Sequence, residues 1–270
     1  KYFTKALERL TERNPNPYNG ETFYLLGLTY FYQERYEESY DAFYKATWSN
    51  EQQEMAFYYL AAIDARAGRY AKALDHVEKG LVKNSHNVKA RGLKAYLLRK
   101  LGREKQARRQ IEDNLALDPF DFVSGNERVL LDGNEGILPD GKESSGRAAL
   151  NEKMRDFQEN YLMTARDYGE FGAYQEAVEM LAACAKEYPM LYYYAAFYQS
   201  RMEEKTYGTA AELLARAEKA PSDYCFPNKP EDIGVLRFAI ANGCHAKAPY
   251  YLGNLFYDKL NWQEAIRLWE

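Results

Sequence analysis

The sequence has few of the residues that carry covalent and metal chemistry. Its 270 residues include three cysteines and three histidines. Cys184, Cys225 and Cys244 show neither a metal-ligand spacing nor the even count of a disulfide framework. Unpaired cysteines favour a reducing compartment, so we predict a cytoplasmic location. Because a structural zinc site needs four well-spaced ligands, we predict no metal and no cofactor.

The histidines are isolated along the sequence. His76 is predicted on an exposed stretch of helix, His86 in a link between helices, and His245 directly follows Cys244. The sequence also has no glycine-rich phosphate loop, no nucleophile elbow and no Cys-x-x-Cys pair. We therefore predict that this chain is not an enzyme.

Long apolar runs and an excess of positive charge are absent as well. The sequence has no run of about 18 apolar residues, which predicts no transmembrane helix and no membrane partner. The net charge of −4 argues against general nucleic-acid binding. Aromatic residues, in contrast, are abundant, at 15% of the chain with 25 tyrosines.

Small and aromatic residues recur with a period of 34 residues. Ser39, Ala73 and Ala107 are separated by this step. Two further sets keep the same step: Gly27, Ala61 and Ala95, and Phe43, Val77 and Ile111. Such a period is typical of paired antiparallel helices stacked in a solenoid. Solenoids present long binding surfaces, so the repeat favours a binding function.

The segment Glu21–Asn50 illustrates the predicted helix pair. Its first helix places small Gly27 on the apolar face, and its second helix places small Ser39 on the facing side. Small residues at a helix crossing let the axes approach closely. Tyr36 and Phe43 are then expected to fill the layer against the next pair.

These residues resemble the tetratricopeptide repeat (TPR) family. Its units carry a bulky residue, Leu-Gly and Tyr in the first helix, and Ala, Phe, Ala and a closing Pro in the second. The matching residues are Phe23, Leu26, Gly27, Tyr30, Phe43 and Ala46 in one unit, Tyr161, Ala165, Tyr168, Tyr174, Ala177, Leu181 and Pro189 in another, and Leu252, Gly253, Phe256, Trp262, Ala265 and Trp269 in a third. Asp64 and Leu98 depart from the pattern at the tyrosine, and Ser85 departs at the proline. The resemblance implies an all-α, right-handed superhelical solenoid of about six to seven antiparallel helix pairs.

The 34-residue register is interrupted twice. Ala107 and Ala177 are 70 residues apart, and Ala177 and Ala265 are 88 residues apart. We predict one TPR-like solenoid over 1–270, an inserted loop over 132–146, and an irregular link with an extra helix over 221–245. Since both ends fall in helix-like segments, we expect this sequence to be a fragment of a longer protein.

The resemblance also implies a concave groove, built in TPR arrays from first-helix residues beside the packed positions. The corresponding residues are Tyr24, Leu28, Phe31, Tyr32, Tyr58, Arg66, Tyr96, Arg99, Lys100, Tyr250, Asn254 and Tyr257. Chaperone-binding members hold a terminal carboxylate with Lys and Asn. Tyr24 and Leu28 stand at the first of those positions here, so that role is not expected. A tyrosine-rich groove suits an extended peptide or the face of a sugar. The alternative is that several of these tyrosines only pack against neighbouring helices.

One segment is strongly basic. Residues 89–109 contain nine Lys or Arg and a single acidic residue, Glu104. One interpretation is a solvated face, since charge runs are usually exposed. The other is a dock for an acidic peptide or a neighbouring domain.

The C-terminal third resembles a narrower group. The stretches DYCFPN over 223–228, IGVLRFAIANG over 233–243 and APYYLGNLFYDKLNWQEAIRLWE over 248–270 carry this resemblance. They are similar to the helical portion of large bacterial proteins that join a sugar-mutarotase-like domain to a TPR array. Two hypotheses follow. The first is a protein-interaction scaffold that binds a peptide segment or its own upstream domain. The alternative is an accessory region of a bacterial protein of carbohydrate metabolism that shapes substrate access or binds a glycan.

Overall fold

The computed structural model describes residues 2–15, 17, 19–133, 145–204 and 207–270. These residues form sixteen α-helices and no β-strand. The chain divides into two compact units, Lys1–Leu150 (unit 1) and Asn151–Glu270 (unit 2). The prediction of one array over 1–270 stays a prediction. Most of the predicted loop at 132–146 lies outside the described residues.

Unit 1 consists of helices joined mostly by short turns. They are α1 (Tyr2–Thr11), α2 (Glu21–Phe31), α3 (Tyr36–Ala46), α4 (Gln53–Arg66), α5 (Tyr70–Lys83), α6 (Val88–Lys100), α7 (Glu104–Leu117) and α8 (Phe122–Leu131), and α9 (Ser145–Met154) crosses the division between the units. The pairs α2/α3, α4/α5 and α6/α7 correspond to the three predicted repeats. Because their turns are short and the paired helices contact each other, the pairs are antiparallel.

Glycine in the left-handed conformation makes two of these turns. Gly68 has a φ of 71°, and the next N–H, of Arg69, donates to the Asp64 carbonyl at 2.9 Å. Gly102 repeats this geometry with a φ of 67°. The turns end the first helix and satisfy its last carbonyls. Glu34 occupies the same position in the first pair with a φ of 60°, which costs a non-glycine residue about 1–2 kcal/mol.

Small residues allow the close helix crossing within a pair. A Cβ atom added to Gly27 would lie 2.8 Å from the ring of Phe43, whose side chain is fully buried. Ser39 Oγ donates a hydrogen bond to the Gly27 carbonyl oxygen at 2.8 Å. Ala73 and Ala107, one and two repeats later, are also fully buried. The predicted packing role of the 34-residue period is therefore confirmed in unit 1.

In unit 2, glycines also lie against large aromatic side chains. Its helices are α10 (Gln158–Glu170), α11 (Tyr174–Ala182), α12 (Pro189–Gln199), α13 (Ala210–Lys219), α14 (Pro230–Ala241), α15 (Lys247–Asp258) and α16 (Trp262–Trp269). A Cβ atom on Gly169 would lie 2.6 Å from Tyr198 Cζ, and one on Gly253 would lie 2.6 Å from Trp269 Cδ1. The segment predicted as an irregular link with an extra helix, 221–245, contains the helix α14, which begins at Pro230.

Candidate functional site

The predicted groove residues fall into three groups by exposure. Phe31, Tyr58 and Tyr96 are buried, at 5%, 1% and 2% exposure. Six side chains are half-buried: Tyr24, Leu28, Tyr32, Arg66, Arg99 and Asn254. Three are exposed: Lys100, Tyr250 and Tyr257. A buried ring packs against neighbouring helices, so any contact with a ligand in this conformation belongs to the second and third groups.

One aromatic cluster joins the first two helix pairs of unit 1. The Phe43 and Tyr59 rings are stacked at 4.8 Å, and Phe31 lies 5.1 Å from Tyr59. The Tyr24 ring lies 5.7 Å from Phe43 and 6.3 Å from Tyr59. Tyr24 and Phe31 thus contribute to core packing, which is the alternative interpretation of the groove tyrosines.

Three of the predicted groove residues occupy equivalent positions in three successive helix pairs. Tyr32, Arg66 and Lys100 are 34 residues apart and lie at the C-terminal ends of α2, α4 and α6. The Arg66 guanidinium lies 4.4 Å from the Tyr36 ring centroid, and Lys100 Nζ lies 5.5 Å from that of Tyr96. Cations over aromatic faces are attracted to them and held in place. The three positions form a partly exposed row of one tyrosine and two cations.

Arg99, which directly precedes Lys100 of this row, forms an internal ion pair. Its Nε and Nη2 atoms donate to both carboxylate oxygens of Glu127, at 2.5 and 3.1 Å. Glu127 is fully buried in α8, and the Arg99 side chain is 20% exposed. A bidentate pair of this kind fixes α6 against α8 and leaves Arg99 little freedom to bind a ligand.

The predicted residues of unit 2 lie together on an exposed aromatic surface. Tyr250 and Tyr257 are 56% and 58% exposed. The Tyr257 ring lies 5.8 Å from Trp269, whose indole N–H donates to the Tyr250 carbonyl at 3.4 Å. Asn254 lies between the two tyrosines on α15. Their role in ligand binding stays a prediction.

His76 is buried, at 7% exposure, and the prediction of an exposed position was wrong. Its Nδ1 atom lies 3.1 Å from Oδ2 of Asp64. Asp64 is fully buried and stands at the repeat position where the TPR pattern has a tyrosine. Arg69 Nε donates to Asp64 Oδ1 at 2.7 Å, and Lys72 Nζ lies 3.5 Å from the same oxygen. The histidine is buried because it is a partner of this carboxylate.

Asp64 should make the stability of unit 1 sensitive to acid. Burial raises the pKa of Asp64, but His76, Arg69 and Lys72 outweigh it, so the pKa lies below its usual range. A depressed carboxyl pKa contributes stability above the unfolded value of about 3.9, and this stability is lost as the pH falls through the folded pKa. We expect the free energy of unfolding of the wild type to fall more between pH 6 and pH 3 than that of Asp64→Asn. Urea denaturation at several pH values tests this, and parallel losses in both proteins would contradict it.

Internal partners neutralise part of the basic segment 89–109. Lys94 Nζ lies 3.0 Å from Glu78, and Arg108 pairs with Glu104 at 2.9 Å and with Asp132 at 2.5 Å. Together with the buried Glu127, these carboxylates reduce the positive charge. Five cations of the segment are exposed: Lys89, Lys100, Arg103, Lys105 and Arg109.

Unit 2 contains a buried ionic cluster that the sequence did not predict. Arg166 of α10 donates from Nε to Tyr194 Oη at 3.1 Å and from Nη2 to Asp232 Oδ1 at 3.2 Å. Tyr194 donates its hydroxyl to the same carboxylate oxygen at 2.6 Å. The other oxygen of Asp232 accepts the backbone N–H groups of Asn228 and Lys229, at 2.9 and 2.8 Å. Asp232 therefore joins α10, α12 and the start of α14.

The environment fixes the protonation of this cluster. Burial lowers the pKa of Arg166, but the nearby Tyr194, Asp232 and Glu159 raise it more, so its pKa lies above the usual value. Burial is also the main cause that raises the pKa of Tyr194 well above its usual range. At neutral pH the guanidinium is therefore charged, and Tyr194 remains a hydroxyl donor.

A cavity of about 260 Å³ adjoins this cluster. Polar groups on its wall include Arg166, Glu159 and Lys229, and its apolar wall includes Met190 and Phe226. Phe226 is 72% exposed. Phe226 belongs to the DYCFPN stretch, and Lys229 directly follows it.

The part of the chain that the structure describes has no group of three or more His, Cys, Asp or Glu side chains arranged to hold a metal ion. It also has no helix with both the length and the apolar character needed to cross a membrane.

No known family model matches this chain. It is similar in structure to a tetratricopeptide repeat protein from Parabacteroides merdae, at 17% identity and a TM-score of 0.49 over 93% of this chain and 89% of that protein. It is also similar to yeast Tom70, at 16% identity and a TM-score of 0.51. That alignment covers 98% of this chain and 57% of the length of Tom70. With the helix pairs described above, the likeness to Tom70 confirms the predicted fold class, an all-α, TPR-like helical solenoid.

Proposed function

We propose that this chain is a non-catalytic protein-binding scaffold and that unit 1 binds an acidic, extended polypeptide segment. The observation that carries the proposal is the row of Tyr32, Arg66 and Lys100 at equivalent positions of three successive helix pairs. Repetition at a fixed step suits an extended ligand, because each pair can contact the next part of the segment. The segment belongs to a partner protein or to another part of the same protein.

Charge and burial support an acidic ligand. Arg66 is half-buried and Lys100 is exposed, and both lie against aromatic rings that limit their motion. Arg103, in the turn after α6, adds a third cation. Complementary charge speeds association and selects the register of a bound segment. Tyr32 offers apolar area with one polar tip for the same ligand.

Charge reversal on the row should weaken binding about tenfold. The test is a peptide-display selection on the wild-type chain, followed by affinity measurements for the selected peptides by fluorescence polarisation. We expect the selected peptides to be rich in Asp and Glu. Arg66→Glu with Lys100→Glu should then weaken binding about tenfold, which corresponds to about 1.4 kcal/mol.

A matched control separates the row from the general charge of the protein. Lys105→Glu with Arg109→Glu makes the same change in net charge on α7, and both side chains are exposed. We expect this control to change affinity less than twofold, with both double variants as helical as the wild type. Equal weakening in the two variants, or no weakening in either, would exclude the row as the binding surface.

The carbohydrate hypothesis is tested with the same proteins. A glycan array probed with the wild type and the Tyr32→Ala variant shows whether Tyr32 of the row binds sugars. Glycan binding that Tyr32→Ala removes, without enrichment of acidic peptides, would replace the protein-binding proposal.

A further inference from the structure

The cavity of unit 2 contains a buried cation with unused hydrogen-bonding capacity. The Arg166 side chain is 11% exposed. A guanidinium has five N–H bonds, and Tyr194 and Asp232 each accept one of them. The Glu159 carboxylate on the cavity wall lies 3.7 Å from Nη1, beyond hydrogen-bonding distance. About three of its five N–H bonds are thus left for other acceptors.

Asp232 holds Arg166 in place and has no capacity left for a ligand. Its two carboxylate oxygens accept four hydrogen bonds, from Arg166, Tyr194 and the backbone of Asn228 and Lys229. A carboxylate has about four lone-pair positions, so this one is saturated. Asp232 therefore leaves the remaining N–H bonds of Arg166 to another acceptor. A ligand that replaces Glu159 beside the guanidinium must itself be anionic to keep this charge compensated.

The rest of the cavity wall indicates that such an anion carries an apolar group. Met190, Phe226 and Tyr188 give the cavity an apolar side, and Phe226 is largely exposed beside it. A volume of about 260 Å³ is small compared with the roughly 300–1,000 Å³ of drug-sized sites. A group with the size of one amino-acid residue fits this space.

We propose that this cavity binds an organic carboxylate, with the carboxylate on the guanidinium of Arg166 and the apolar body against Phe226 and Met190. Glu159, 46% exposed, competes with the ligand for Arg166 and swings toward solvent when the ligand binds. A planar guanidinium matches a carboxylate with two parallel hydrogen bonds. This site involves no residue of the unit 1 row, so either proposal can fail without the other.

The opposite effects of two substitutions test the proposal. Calorimetric titration of the whole chain with N-acetyl-leucine should detect binding, and the uncharged N-acetyl-leucine amide should bind at least tenfold more weakly. Glu159→Gln should lower the Kd of N-acetyl-leucine at least threefold because it removes the competing charge. Arg166→Gln should abolish binding. If this variant does not fold, Phe226→Ala takes its place, since its exposed side chain makes it a mild change, and it should weaken binding at least threefold.

Further arms distinguish the source of the carboxylate. A peptide that ends in leucine and binds as tightly as N-acetyl-leucine would point to polypeptide C-termini, and a peptide that does not bind would point to small free acids. Equal affinity for the acid and its amide would overturn the proposal. Unchanged affinity in Glu159→Gln would overturn it too, as would inorganic phosphate that binds as tightly as N-acetyl-leucine.

Discussion

Asp232→Ala should lower the free energy of unfolding of unit 2 by about 3–5 kcal/mol. Asp232 is fully buried, and its partner Arg166 is 11% exposed. Removal of the carboxylate leaves a guanidinium in the interior with the half-exposed Glu159, 3.7 Å away, as its remaining counter-charge. The Tyr194 hydroxyl and the backbone N–H groups of Asn228 and Lys229 lose their acceptor in the same substitution. Breaking a buried pair costs far more than the net contribution of the pair to stability.

Urea denaturation followed by circular dichroism measures this effect. Asp258→Ala is the matched control, because it removes an aspartate of the same unit that is 64% exposed and pairs with a neighbouring lysine. We expect the control to change stability by less than about 0.5 kcal/mol. Arg166→Met combined with Asp232→Leu should recover most of the loss, since paired apolar replacements remove the uncompensated charge. A similar loss in Asp232→Ala and Asp258→Ala would show that the cluster does not stabilise unit 2.

The 34-residue period was sufficient to predict the helix crossings. Gly27 and Ser39 are small because two helices meet there, and a crossing imposes the same constraint in each repeat. Exposure was harder to predict. Tyr58 and Tyr96 lie at positions that face the groove in TPR arrays, yet they are buried here. Periodicity identifies the face of a helix but not how far the side chains of neighbouring helices extend over that face.

The two buried polar clusters could not be predicted from the sequence, for a different reason. Asp64 and His76 are twelve residues apart on two helices, and an isolated histidine carries no sign of a buried partner. Arg166 and Asp232 are 66 residues apart, which is not a multiple of the repeat. Their contact depends on α14, in the segment where the register is lost. No pattern in the stretch before α14 indicates a contact with α10.

Ala73→Leu should lower the free energy of unfolding of unit 1 by about 1–3 kcal/mol, because it forces three added carbon atoms into a filled helix crossing. Ala73 is fully buried on α5, at the position where Ser39 contacts Gly27 one repeat earlier. Leucine and alanine are both good helix formers, so helix propensity contributes little to the difference. Ala71→Leu makes the same chemical change on an exposed side of the same helix and should leave stability within about 0.5 kcal/mol. Urea denaturation of the two variants compares the effect of leucine at a buried position with its effect at an exposed position. An equal effect at both positions would mean that the repeat does not set the helix spacing.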